Sequence, residues 1–148
     1  MQKNLEQILN TILHSSEILE EKMKQDSDLK DLTSRQLYCI ELINKMENPS
    51  LTELADGMSI AKASISVMID RLEKKKLIYK VTSDNDRRTA HVHLTEIGMK
   101  AASIHTDLHK RISELLTKDM TESEKEILIV LLNKSVKSLI KNKMQISN

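Results

Sequence analysis

LTELADGMSIAKASISVMIDRLEKKKLIYKVTSDNDRRTAHVHL, residues 51–94, is the stretch whose reading decides the fold. Ser50 and Glu53 stand at the spacing of a capping box, in which each side chain answers the other's backbone N–H, and open a short helix ending near Gly57. A tight turn follows. A second helix over 62–75 places Ile65, Met68, Ile69 and Leu72 inward at i, i+3, i+4 and i+7, which leaves Lys62, Ser66, Asp70 and Lys74 on the opposite side. Ser64 and Arg71 join that exposed surface, and Lys74, Lys75 and Lys76 close the helix. Residues 78–81 and 90–94 are β-branched, alternating and too short for helices, and the charged tip Ser83-Asp84-Asn85-Asp86-Arg87-Arg88 between them has no apolar residue. Helix, turn, helix and β-ribbon, in that order, are the parts of a winged unit that reads DNA.

Outward from this unit the pattern is helical. Leu5, Ile8, Leu9, Ile12, Leu13, Leu19 and Met23 predict one amphipathic helix over residues 3–24, followed by a polar joint at 24–31. Thr33 and Gln36 form another capping box, opening a helix whose inward stripe is Leu37, Ile40, Ile43 and Met46. After the ribbon, Thr95 caps a helix to about 116 with Ile104, Leu108, Ile112 and Leu115 as its stripe. Thr121 and Glu124 cap a last helix carrying Ile127, Leu128, Leu131, Leu132, Leu139 and Ile140. The flanking helices hold more apolar surface than a small winged lobe can cover, and stripes of this kind bury one another across a two-fold axis. The predicted fold is therefore mainly α with a small β-wing. A single domain, 1–148, contains a winged helix-turn-helix lobe at 33–95 and dimerisation helices at 1–31 and 96–148.

Composition narrows the function. The formal net charge of the 148 residues is only +1, yet residues 62–88 hold eight Lys/Arg against four Asp/Glu, so the positive charge is local. Phe and Trp are absent and eight Met are present, so the interior is aliphatic and pliable. One cysteine, Cys39, excludes an internal disulfide and a CxxC metal site and fits a reducing compartment. No apolar run approaches the ~20 residues of a membrane span, and MQKNLEQILN lacks the apolar block of a signal peptide. A cytoplasmic protein with no membrane partner is expected. No glycine-rich turn, nucleophile elbow or paired buried carboxylate is visible, so neither enzymatic activity nor a cofactor is expected.

Leu54-Ala55, Ile65-Ser66, Asp70-Arg71-Leu72-Glu73, Leu77-Ile78, Asp86-Arg87-Arg88 and Leu94-Thr95-Glu96-Ile97-Gly98, taken together, resemble the MarR family of bacterial transcription regulators. The wing signature Asp-x-Arg followed by Leu-Thr-x-x-Gly is the more specific part, and the match spans nearly the whole chain. The resemblance implies a homodimer binding an inverted repeat in double-stranded DNA. It implies major-groove contacts from Lys62, Ser64 and Ser66, Arg88 in the flanking minor groove, Asp86 orienting it, and Arg87 on phosphate. Three positions depart from the family pattern: Ser59 stands where a turn glycine is usual, Ala61 where a hydroxyl N-cap is usual, and Lys76 where a glycine closes the helix.

A narrow minor groove concentrates negative potential, which gives Arg88 its physical rationale; Arg71 is a further candidate DNA contact, and Lys74, Lys75 and Lys76 either contact phosphates or complement the helix dipole. His105 and His109 stand at i, i+4, a spacing that can chelate a transition metal. The resemblance implies, for zinc-sensing members of the family, further ligands from the first two helices; here His14, Glu20 and Glu21 are available on the first, and Tyr38 stands where the second would supply one. Surface or interface histidines are the plainer reading. Cys39, without a basic neighbour, reads as a small core residue. The function expected is a repressor tuned by a small-molecule or lipid-linked effector, the latter because an Ile/Leu/Met lining suits an acyl chain. The alternatives are a metal-responsive repressor and a helical protein-interaction module that does not bind DNA.

Overall fold

The computed structural model describes residues 4–25, 29–82 and 90–146. In chain order these form α1 (Leu5–Gln25), α2 (Ser34–Met46), α3 (Leu51–Met58), α4 (Lys62–Lys74), β1 (Ile78–Thr82), β2 (Ala90–Leu94), α5 (Glu96–Thr117) and α6 (Glu122–Ile146). The chain divides into two compact units, Met1–Lys110 and Arg111–Asn148. No helix among the described residues is long and apolar enough to cross a membrane.

Local chemistry explains the element ends in the first unit. Thr33 and Gln36 form the capping box of α2, and Ser50 and Glu53 that of α3, each reciprocal. Two helices then end in Schellman-type closures without glycine. Ser59 takes φ 53° and Ile60 N–H donates to Ala55 O at 3.0 Å, closing α3. Lys76 takes φ 59° and Leu77 N–H donates to Leu72 O at 3.1 Å, closing α4. A left-handed residue that is not glycine costs about 1 kcal/mol, and both stand where the family pattern has glycine. Ala61, the N-cap of α4, makes no side-chain cap hydrogen bond.

Leu37, Ile40, Ile43, Leu54, Ile65, Ile69, Leu72, Ile78 and Val92 are almost wholly buried and form one core from α2, α3, α4 and the two strands. Ala101 and Ala102, on the first turns of α5, complete it. The strands pair antiparallel, from Ile78 opposite Leu94 to Thr82 opposite Ala90. The other side of β2 is met by the segment before α3: Val92 N–H donates to Pro49 O at 2.9 Å and Ser50 bridges His91. Met46 departs from its expected place in the core. It ends α2 just before two left-handed residues, Glu47 (φ 53°) and Asn48 (φ 66°), and is 36% exposed. Met68 is only half-buried, and the expected stripe of α1 is open to solvent at Leu5, Ile8, Leu9 and Leu13.

In the second unit, Met120 N–H donates to Thr117 O at 3.1 Å in the turn after α5, and Thr121 with Glu124 forms the capping box of α6. Ile127, Ile129, Val130, Leu131, Leu132, Val136, Leu139 and Ile140 on α6, and Leu115 near the end of α5, are all about half exposed or more.

The tightest joint lies at the root of the wing. Thr95 N–H donates to Leu77 O at 3.0 Å and its hydroxyl donates to Lys76 O at 2.8 Å, while the same oxygen accepts from Gly98 N–H at 3.1 Å. A Cβ on Gly98 would stand 2.0 Å from Leu77 O, a backbone atom already held by Thr95. Gly98→Ala is therefore expected to lower stability by about 1–3 kcal/mol through overpacking. Urea unfolding should show it as a lower midpoint at unchanged slope.

Candidate nucleic-acid interface

Helix α4 is amphipathic because Ile65, Ile69 and Leu72 are locked into the core, and everything the solvent meets follows from that anchoring. Ala63, Val67, Asp70 and Lys74, at i, i+4, i+7 and i+11, run along the face opposite this stripe, and all four are exposed. Lys62, Ser64, Arg71 and Lys75 are exposed beside that line. Ser66, expected on the far side from the core, lies on the flank and is half-buried, because it adjoins the Ile65–Ile69 stripe. Asp86, Arg87 and Arg88, the expected wing contacts, lie outside the described residues.

A wing residue that sequence reasoning passed over joins α4. Lys80 on β1 places its Nζ 2.6 Å from Asp70 Oδ1 and 3.0 Å from Glu73 Oε2. Hydrogen bonds that Lys80 donates to these two carboxylates raise its pKa, and Lys80 in turn holds the Asp70 carboxyl below its usual range. The only two acids of α4 are thus engaged by a cation from the wing, and the ribbon is tied to the helix. No local pattern announces this pair, since its partners are ten and seven residues apart and on different elements.

Of the two histidines, His109 is exposed as a surface residue would be, and His105 departs from that reading. His105 is buried, not a surface residue, and its Nε2 lies 3.3 Å from Oε2 of buried Glu41 on α2. Its ring meets that of His109 edge-on at 4.4 Å, and that of Tyr38 at 6.3 Å. Glu41, His105 and His109 each offer a ligand atom, all within 4.8 Å of one another. The residue that α2 contributes is thus Glu41, one turn beyond Tyr38. Burial pushes the His105 pKa down, with His109 adding to the effect and the charge of Glu41 opposing it. Its Nδ1 is buried with no hydrogen-bond partner among the described residues. His14 does not join this group: it is exposed and lies 3.9 Å from Glu17. Glu20 accepts from the Ser34 hydroxyl at 2.7 Å and pairs with Lys24 at 3.1 Å, and Glu21 pairs with Lys24 at 2.7 Å.

The comparisons with known proteins agree with this architecture. The model of the MarR family matches residues 32–90. The HTH-type transcriptional repressor MdtR of Bacillus subtilis (strain 168) is 28% identical over 100 residues, 65% of this chain and 64% of that protein. The uncharacterized HTH-type transcriptional regulator YvnA of the same organism is 29% identical over 85 residues, 57% of this chain and 54% of that protein. The chain thus spans less than two thirds of the length of these two relatives. The crystal structure of Streptococcus pneumoniae FabT in complex with DNA superposes with a TM-score of 0.82 at 24% identity, covering 92% of this chain and 94% of that one. At that identity the likeness speaks for the fold.

Cys39 is wholly buried, and burial pushes its thiol up to about 12. In the native protein at pH 8 it is therefore expected to resist iodoacetamide, and in denaturant to alkylate completely, as read by intact mass. Rapid labelling of the folded chain would contradict the core placement.

Proposed function

We propose that the chain is a MarR-family protein, a sequence-specific double-stranded DNA-binding regulator of transcription, most simply a cytoplasmic repressor, with no catalytic activity; the match of the MarR family model to residues 32–90 supports this reading. The observation that carries this reading is the exposed face of α4. Lys62, Ser64, Arg71, Lys74 and Lys75 project from a helix whose opposite side is fixed in the core, while its two acids are engaged by Lys80. Hydroxyls and cations on one rigid helix suit base edges and phosphates respectively. Arg88, on the segment between the strands, would enter the neighbouring minor groove, with Asp86 and Arg87 beside it. The helices at 1–31 and 96–148 would form a homodimer, whose exposed apolar residues on α1 and α6 supply the surface to be covered. Its two α4 helices would then meet half-sites about 34–36 Å apart in an inverted repeat. An effector that binds one spacing better would shift the population. The aliphatic, Phe- and Trp-free side chains of the chain suit an acyl group better than a stacked ring.

Binding of duplex fragments selected from a random pool tests the reading. Lys62→Glu combined with Arg88→Glu is expected to raise the dissociation constant by at least about tenfold, and the wild-type affinity is expected to fall steeply with salt. Affinity untouched by both would leave the helical interaction module as the better account.

A second reading is favoured by Glu41, His105 and His109, whose two imidazoles and one carboxylate are the donors of a zinc-type site. Both imidazoles must be neutral to act as ligands. The lowered pKa of His105 keeps that ring neutral, and so available as a ligand, below the ordinary imidazole range. Calorimetry with zinc should give one ion per chain, weakened at least about tenfold in the exposed-site variant His109→Gln. Absence of binding at pH 8 would remove this alternative.

A further inference from the structure

Among the outward residues of α4, Val67 is the one large apolar side chain, and it is 51% exposed. Single exposed valines are ordinary on protein surfaces, but the setting of this one is not. It occupies the centre of the face opposite the buried stripe, with Ala63 one turn before it and Arg71 one turn after it, both exposed. The helix divides by chemistry along this line. Its first half, from Lys62 to Val67, carries small, hydroxyl-bearing and apolar groups with a single cation, whereas its second half carries Asp70, Arg71, Glu73 and Lys74. Cations suit phosphates, and the acids of the second half are held by Lys80. The first half has the groups that match base edges: hydroxyls for their acceptors and donors, and an aliphatic group for the one apolar feature a base pair displays in the major groove, the thymine C5-methyl. A β-branched residue is also a poorer helix former than alanine at an exposed site, so helix formation does not account for it.

We propose that Val67 is a specificity-determining residue that reads a thymine methyl, with the small side chain of Ala63 letting the helix approach closely enough for contact. This rests on the DNA-binding reading above and adds to it one position of sequence preference. Val67 touches only the base edge in this arrangement, and it takes no part in anchoring the helix.

The test uses the full-length protein and duplexes it selects from a random pool. In the recovered sequence each thymine is replaced in turn by deoxyuridine, which removes the methyl and nothing else. At one thymine position, loss of the methyl from both half-sites together should weaken wild-type binding about fifteenfold, about fourfold per half-site, the worth of one buried methyl group each. Val67→Ala should lose a similar factor on the thymine duplex and show less than a twofold further change on the uridine duplex. Val67→Thr, which retains one methyl, should fall between. The exposure of this site and the good helix propensity of alanine keep the variant folded, and a thermal melt verifies it. Identical uridine profiles for wild type and Val67→Ala would overturn the inference while leaving DNA binding intact. Failure to enrich any duplex would overturn the DNA reading, and this inference with it.

Discussion

The wing, α4 and α5 are held in register by one threonine. Thr95 gives its amide to Leu77 O and its hydroxyl to Lys76 O, and takes the Gly98 amide on the same oxygen. The end of α4, the first strand, the last strand and the start of α5 therefore meet within a few ångströms of one side chain. The approach is so close that only a glycine fits at position 98. The left-handed Lys76 follows from the same joint. The chain must turn sharply after Lys75 for Leu77 to close back on Leu72, and the strain of a non-glycine residue there is offset by the hydrogen bonds that result. Lys80, gripping Asp70 and Glu73, adds a second fastening a few residues further along the ribbon.

A different kind of constraint runs through α1, α2 and α5. Glu20, Lys24, Glu41 and His105 are all buried. Lys24 pairs with Glu20 and donates to Leu32 O at 3.0 Å, with Ser34 donating to Glu20, while Glu41 pairs with His105 and, at 2.6 Å, with Lys45. For Lys24, burial works against the charge, but the hydrogen bonds and charges of Glu21 and Glu20 outweigh it, and its pKa is raised. Seams of this sort contribute little net stability compared with an apolar core, but breaking one by removing a partner costs about 3–5 kcal/mol. Their effect is on geometry: a helix slid by one turn would leave a buried charge alone.

The sequence was legible where the chemistry is local. The capping boxes at Thr33, Ser50 and Thr121 each need only a hydroxyl and a carboxylate or amide three residues apart, and all three are present. Ile65, Ile69 and Leu72 are readable from helical period, and the two strands at 78–81 and 90–94 from alternation, the first running one residue further, to Thr82. What escaped was set by tertiary neighbours. Glu41 reads as a solvated acid and is buried, because His105 arrives from a helix more than sixty residues later. Lys80 reads as an ordinary strand lysine because its partners lie across an element boundary. Ser66 differs for another reason: at 100° per residue it falls on the flank, 60° from Ile69, and not on the far face, so the docked helix half-buries it. The candidate DNA-facing surface was thus traceable as a face of α4, and its electrostatic balance was not.

The scarcity of aromatic rings has an optical consequence. With no tryptophan and only two tyrosines, the near-ultraviolet absorbance and emission of the chain come from Tyr38 and Tyr79 alone. Tyr79 stacks on His93 at 5.1 Å between the two strands, and Tyr38 stands edge-on to His105 beside Glu41. The molecule therefore carries one native chromophore at the root of its ribbon and another at its buried acid–imidazole cluster. Replacing either phenol with phenylalanine would leave a label-free spectroscopic reporter for the other location.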